Sequence, residues 1–358
     1  MIEAKAYQLA LATPYRWSKG IQHQRVGLII RCELDGSVGW GEAALPPHVV
    51  YRPGAYESEF ASLVDGLDVN DNDFLDELAL REISLRLRCG ISTAWYSAQA
   101  AARGQTLSRF LLGPDARIPS HVPVNELIGD AEADVCVARA AAAIAAGQNT
   151  VKVKCTTERE LDLSRIAAIR GAFPKLKIRI DPNESWPLDW AADQLNAMAG
   201  FEIEYCEEPL PRGTPLADYG RLRRQTKVPI ALDDSIRTLR DVELAALREA
   251  ADVLVLKAQR VGGPDQLLEI VRYADSLGLR STITSSLETS LGLTLGIHCT
   301  AMAPAPIAAA GIGTARFFAV NVGPPPPIVD GQMAVPSRPG LGFDASDWWG
   351  QAAVQAAG

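Results

Sequence analysis

Five short apolar segments in the middle of this 358-residue chain end in formal charge. VKVK puts Lys152 and Lys154 two positions apart, on one face of a strand. KIRID ends in Asp181, EIEYCE in Glu207 with Glu208 behind it, VPIALD in Asp233 with Asp234 behind it, and DVLVLK in Lys257. Asp181, Glu207 and Asp233 recur every 26 residues, so each holds the same place in its own repeat. Three carboxylates at one depth repel and titrate upward unless a cation neutralises them. Hard oxygen donors suit Mg²⁺, which keeps places open for water or substrate oxygens, and Mn²⁺ is an acceptable substitute. Lysines flanking such an ion have their pKa pushed down, and a neutral lysine is a base near neutral pH. The chemistry this set can do is removal of a proton from the carbon next to a carboxylate, with the metal holding the enediolate. Singly, an acid ending a strand reads equally as a cap for the next helix, and Asp162, Asp189 and Asp265 read as helix-start acids. Only the run of five charged strand ends demands a shared purpose.

Such groups converge only if their strands lie parallel and side by side. From about Pro119 short apolar strands alternate with helices: VPVNELI then 131–146, VKVK then 158–173, KIRID then 188–199, EIEYCE then 216–226, VPIALD then 239–250, DVLVLK then 265–277, STIT then 289–302, and a weak last strand around 307–311. Eight units predict a parallel β/α barrel of TIM type, whose active-site groups sit at the carboxyl ends of its strands. An open doubly wound sheet is second, since no GxGxxG follows a strand and VGGPDQ (261–266) lacks that spacing and a phosphate-loop lysine. Before the barrel, AKAYQLAL, VGLIIRCEL and GSVGWGEA read as strands, the last two joined by the turn Leu34-Asp35-Gly36-Ser37. Helical stretches follow at 56–67, 75–87 and STAWYSAQAAARG. The expected division is an N-terminal α+β capping domain over 1–115, a barrel catalytic domain over 116–316, and a Pro/Gly-rich tail over 317–358 that packs back on the cap. The loop Pro14–Gln24 would close the barrel mouth, bringing Arg16, Trp17 and Lys19 to the substrate, although Trp17 reads equally as an interface aromatic.

Composition bounds the rest. With 47% apolar and 22% charged residues the chain can bury a large core, which excludes a disordered tail protein. A net charge of −8 argues against a nucleic-acid footprint, and no apolar run approaches the ~20 residues that span a bilayer. The start, MIEAKAYQLALATPYRW, has no basic region ahead of an apolar stretch, so the expectation is a cytoplasmic protein without membrane partners. The six cysteines form no CxxC pair, and His23, His48, His121 and His298 share no metal-site spacing. The partner expected is a small-molecule carboxylate; self-association is left open.

VKVK, RIDPNESW, EYCEEPL, PIALDDS and LKAQRVGG together resemble the KxK, DxNxxW, E-[QE]-P, A-D-[DE]-S and KxxxxGG signatures of the muconate-lactonizing subgroup of the enolase superfamily, in order and at fitting spacing. The resemblance implies an enolase-like modified barrel beneath an α+β cap. It implies Asp181, Glu207 and Asp233 as Mg²⁺ ligands, with Glu208 the alternative to Glu207. It further implies Lys154 and Lys257 as paired bases, Lys152 as an electrostatic partner, and Asn183 and Asp234 in support. Within the subgroup, STITSSLETSLGL is similar to the serine-rich seventh strand of the o-succinylbenzoate synthase family, which also has an arginine at the place of Arg179. On that likeness Thr284, Ser285 and Ser286, with their backbone amides, would bind a substrate carboxylate. The stretch Gly311-Ile312-Gly313-Thr314 lacks the DxD that grips an ammonium in dipeptide epimerases, and Ala315 stands where muconate cycloisomerases have an acid. The implied activity is that of a hydro-lyase: dehydration of 2-succinyl-6-hydroxy-2,4-cyclohexadiene-1-carboxylate in menaquinone biosynthesis. The alternatives are N-succinylamino acid racemisation or a muconate-type cycloisomerisation, while a barrel kept as a non-enzymatic scaffold leaves the charged ring without a purpose.

Overall fold

The computed structural model describes residues 1–17, 20–129 and 131–351. Strands β1 (Ile2–Trp17), β2 (Gly20–Leu34) and β3 (Ser37–Ala44) form an antiparallel sheet in that order. Asp35 and Gly36 take φ of 48° and 74°, the left-handed pair of a tight hairpin turn, as the sequence anticipates. The expected loop at 14–24 is largely strand: β1 and β2 run on past a register shift between Ala10 and Tyr15 and stay paired as far as Trp17 and Gly20.

Helices α1 (Ala55–Val64), α2 (Phe74–Ala79), α3 (Leu85–Ala102) and α4 (Leu107–Leu112) complete this layer. The single helix anticipated at 75–87 is broken, because α2 stops at Ala79 and Ser84 restarts the chain by accepting the Leu87 amide at 3.2 Å. Helix α3 lies directly on β3. A Cβ at Gly39 would sit 2.1 Å from the Ala94 carbonyl oxygen, and one at Gly41 would sit 2.0 Å from that of Gly90, so only glycine permits this approach.

The first barrel segment, anticipated as one strand, is divided into β4 (His121–Pro123) and β5 (Glu126–Ile128). Then come β6 (Thr150–Lys154), β7 (Lys177–Asp181), β8 (Ile203–Glu207), β9 (Ile230–Leu232), β10 (Val253–Leu256) and β11 (Arg280–Ile283). Strands β5 to β11 lie parallel in chain order. The sheet curls shut through Ala310 and Gly311, which form parallel bridges to Val124 and Thr284. Between the strands run α5 (Ala133–Ala145), α6 (Arg159–Ala172), α7 (Leu188–Met198), α8 (Leu216–Gln225), α9 (Leu239–Leu247), α10 (Ala258–Val261), α11 (Pro264–Ser276) and α12 (Ser290–Ala301). The strand faces turned toward the helices are apolar, with Val151, Val153, Ile178, Ile180, Ile230 and Leu254 fully buried.

The tail supplies β12 (Gln332–Ala334), which pairs antiparallel with β4, and α13 (Ser346–Gly350). It reaches the N-terminal layer as well: Leu107 donates to the Gly340 carbonyl at 2.7 Å, and Trp349 packs edge-on to Trp40. All six cysteines are free. Among the described residues no helix is long and apolar enough to cross a membrane.

Candidate active site

The five charged strand ends meet at one end of the barrel. Strands β6 and β7 pair with Lys154 opposite Asp181 and Lys152 opposite Arg179. Strand alternation sends both lysines inward while Val151 and Val153 face the helices. Lys152 Nζ bridges two acids, 2.8 Å from Asp181 Oδ2 and 2.5 Å from Glu207 Oε1. Lys154 Nζ is 2.6 Å from Asp181 Oδ2, and Lys257, just past β10, is paired with Asp233. These groups line one cavity of about 150 Å³.

Charge in this ring is balanced unevenly. Burial alone would raise the Asp181 carboxyl, but Lys152 and Lys154 hold it far below the usual carboxylate range. Asp233 is also buried and also lowered, by Lys257 and Arg260. Glu207 goes the other way: burial raises it, and Asp181 and Asp233 add to that against Lys152. Burial lowers Lys152, yet Asp181 and Glu207 carry it well above an ordinary ammonium, and Asp233 and Glu207 likewise raise Lys257.

Glu207 and Glu208 part company at the end of β8 because Glu208 adopts a left-handed backbone, φ 39°. Glu207 turns to the lysines. Glu208 accepts from Ser235 Oγ at 2.5 Å, Tyr219 Oη at 2.7 Å and the Asp233 amide at 2.5 Å, so it builds the loop that carries Asp233. Asn183 lines the cavity, and its amide donates to Asp181 Oδ1 at 2.9 Å. Asp234, also on the wall, pairs with Arg260 and with Arg212 at 3.0 Å. Arg179 lies below the ring, buried, where it donates to Glu204 at 2.6 Å, to the Ala309 carbonyl at 2.6 Å and to Asn125 at 3.2 Å. It is a strut between strands rather than a substrate contact.

The serine-rich segment lines the cavity, but its amides are not free for a carboxylate. Thr284 donates to the Leu256 carbonyl at 2.9 Å, Ser285 to Gly311 at 3.0 Å, and Ser286 to both oxygens of Glu288 at 2.8 and 2.7 Å. The Thr284 hydroxyl donates to the Gly311 carbonyl, and that of Ser285 pairs with Thr314. The Ser286 hydroxyl is buried without a partner, so of the three it alone makes no hydrogen bond. The Arg16 and Trp17 side chains, and Lys19, lie outside the described residues. Sequence reasoning missed Tyr15, Gln22, Pro47, Arg86, Asn125 and Arg260 as wall residues. Of these, Tyr15 and Gln22 fall in the segment singled out for closing the mouth.

Among the described residues no three His, Cys, Asp or Glu side chains form a ready-made ion cage, since ammoniums are seated on the acids. The donor set nonetheless suits a hard divalent cation. Three carboxylates stand on adjacent strands, and Glu207 Oε2 is a buried oxygen with no hydrogen-bond partner.

A parallel barrel with alternating lysines and carboxylates at the carboxyl ends of its strands, beside an antiparallel sheet and helices, defines the class of capped barrels. The chain belongs to the enolase superfamily: residues 135–348 match the family described as enolase C-terminal domain-like. It is 36% identical to an o-succinylbenzoate synthase of Thermobifida fusca over 218 residues, 59% of this chain and 65% of that protein. The match thus takes in less than two thirds of that relative's length. A D-Ala-D/L-Ala epimerase of Cytophaga hutchinsonii is 26% identical over 306 residues, covering 83% of this chain and 82% of that protein. The structure of muconate lactonizing enzyme from Pseudomonas fluorescens, complexed with muconolactone, superposes with a TM-score of 0.85 at 22% identity, covering 96% of this chain and 95% of that one.

Proposed function

We propose that this protein dehydrates 2-succinyl-6-hydroxy-2,4-cyclohexadiene-1-carboxylate to o-succinylbenzoate, as a hydro-lyase of menaquinone biosynthesis. The observation that carries the reading is the single cavity flanked by Lys154 and Lys257, with Asp181, Glu207 and Asp233 between them. The likeness to synthases at 34–36% identity and the absence of acids at Gly311, Gly313 and Thr314 on the wall favour this substrate over one with a free ammonium.

In this reading Lys154 removes the proton alpha to the carboxylate and, once protonated, returns it to the departing hydroxyl on the same face. Lys257, held as an ammonium by Asp233, stabilises the negative charge that develops between the two events. Lys152, seated on Asp181 and Glu207, favours the ionised form of both carboxylates and orients them. Mg²⁺ held by Asp181, Glu207 and Asp233 would supply positive charge opposite the substrate carboxylate. Proton transfer from the Lys154 ammonium to Asp181 does not generate the free base, because that carboxyl is held far below the usual carboxylate range.

Lysines on both flanks also suit N-succinylamino acid racemisation, which needs a base on each face. Supplying the Mg²⁺-loaded protein with the cyclohexadiene acid and, separately, with each enantiomer of an N-succinylamino acid distinguishes the two. Rapid aromatisation of the first supports the synthase reading; proton exchange on the second with no aromatisation overturns it.

A further inference from the structure

Arg86, the second residue of α3, reaches the wall of the active-site cavity from the N-terminal layer. Its guanidinium donates to the Ala44 carbonyl at 2.5 Å, and among the described residues it has no other hydrogen-bond or ion-pair partner. Its neighbours Arg25 and Arg260 are of like charge, opposed by Glu288. Burial, with Arg25 and Arg260 adding to it, pushes its pKa down to about 10. The surrounding donors and acids are already engaged: Arg25 donates to the carbonyls of Leu287 and Ser286, Arg260 pairs with Asp234, and Glu288 accepts from the Ser286 amide. A guanidinium has five N–H donors, and here one accounted-for bond leaves most of them unspent. Glu288 is near enough to offset part of this cost but makes no ion pair with Arg86, and a partly desolvated cation with no acid in contact is stabilised when an anion joins it.

We propose that Arg86 receives a second carboxylate of the substrate, remote from the one at the reacting carbon, so that the cavity selects dicarboxylates. The inference deepens the proposed function and rests on it, since that substrate carries the succinyl carboxylate. Ser286, whose hydroxyl is unpartnered, lines the same cavity and offers a neutral donor. Arg88, the other arginine of this turn, is not available for the role, because it is tied to Asp265 at 2.7 Å.

Calorimetric binding of o-succinylbenzoate and of 2-butanoylbenzoate, which carries a methyl group in place of the distal carboxylate, tests this on the full-length Mg²⁺-loaded protein. Arg86→Met should weaken o-succinylbenzoate by about ten- to a hundredfold, as loss of a charged hydrogen-bond partner does, and leave 2-butanoylbenzoate within about twofold. Arg86→Lys, which keeps the charge and guards against misfolding of the Met variant, should fall between. Equal weakening of both ligands, or of neither, overturns the role of Arg86 while leaving the proposed function intact. Wild-type protein that binds neither ligand overturns both.

Discussion

Lys257 is the residue on which the two catalytic readings part. If it acts only as a cation beside the developing charge, Lys257→Arg keeps that charge, and dehydration should survive within about tenfold. Racemisation starting from one enantiomer should fall by about 10²–10⁴-fold, the usual contribution of a general base. Dehydration lost as completely as racemisation would show that Lys257 moves a proton in both. Glu207→Gln should abolish turnover and weaken Mg²⁺ binding measured by calorimetry, because it removes the one ring carboxylate that keeps an unpartnered buried oxygen. Full turnover in that variant contradicts the metal assignment. These residues were readable from the sequence because each is a formal charge at the same place in a repeating unit. Arg86 was not: it comes from an element outside the repeat, and beside Arg88 it looks like one of two solvated arginines on a helix. Nor could the sequence show that the Ser286 amide is taken by Glu288, two residues along, since that depends on the left-handed turn at Leu287, φ 66°.

At the scale of elements, strand and helix identity in the barrel followed from periodicity, whereas breaks did not. The interruption between Ala79 and Leu85 is made by a serine cap and by Arg81, which donates to the Leu63 and Asp65 carbonyls; both are tertiary or local bonds that an apolar period does not register. The extension of the first hairpin through Trp17 was hidden by Pro14 and Gly20, which read as loop formers. The closeness of β3 and α3 leads to a sharp expectation. Gly41→Ala places a methyl group 2.0 Å from the Gly90 carbonyl, and the two elements must separate. The cost should be about 1–3 kcal/mol, read as a lower urea midpoint at unchanged slope. An unaltered midpoint would mean that the sheet and helix stand further apart than described.

On the scale of the molecule, His298 joins its three parts. It sits on α12 of the barrel, bonds Ser108 on α4 at 3.1 Å, and faces the Leu341 carbonyl of the tail at 3.0 Å. Burial lowers its pKa from 6.5 to about 4. The stabilising preference for the neutral ring is complete above pH 6.5, and it is lost progressively as the pH falls toward 4, where the unfolded chain takes up a proton that the folded one refuses. The loss is roughly 3 kcal/mol at about 1.36 kcal/mol per unit. Glu42, raised by burial, acts in the opposite direction, so the comparison to make is between proteins. Urea unfolding of His298→Gln from pH 7.5 to 4.5 should show a shallower decline than wild type. Parallel declines would remove His298 from the acid sensitivity of the fold.

Among the described residues the barrel's circle is completed by Ala310, whose carbonyl accepts from the Asn125 amide at 2.9 Å, and Gly311, whose amide donates to the Ile283 carbonyl at 2.8 Å. Gly311 cannot be enlarged there, since a Cβ would meet the Thr284 hydroxyl at 2.3 Å. A hem so short has few bonds to break before it gapes. In deuterated water the amides of Asn125, Gly311 and Ser285 should therefore exchange before those of Val153 and Ile180 in the long central strands, so that the cylinder unbuttons along this line ahead of unfolding as a whole. The wall that unbuttons bears Thr284 and Ser285, and a ligand spanning it to Lys154 would fasten it, slowing exchange at these amides more than elsewhere.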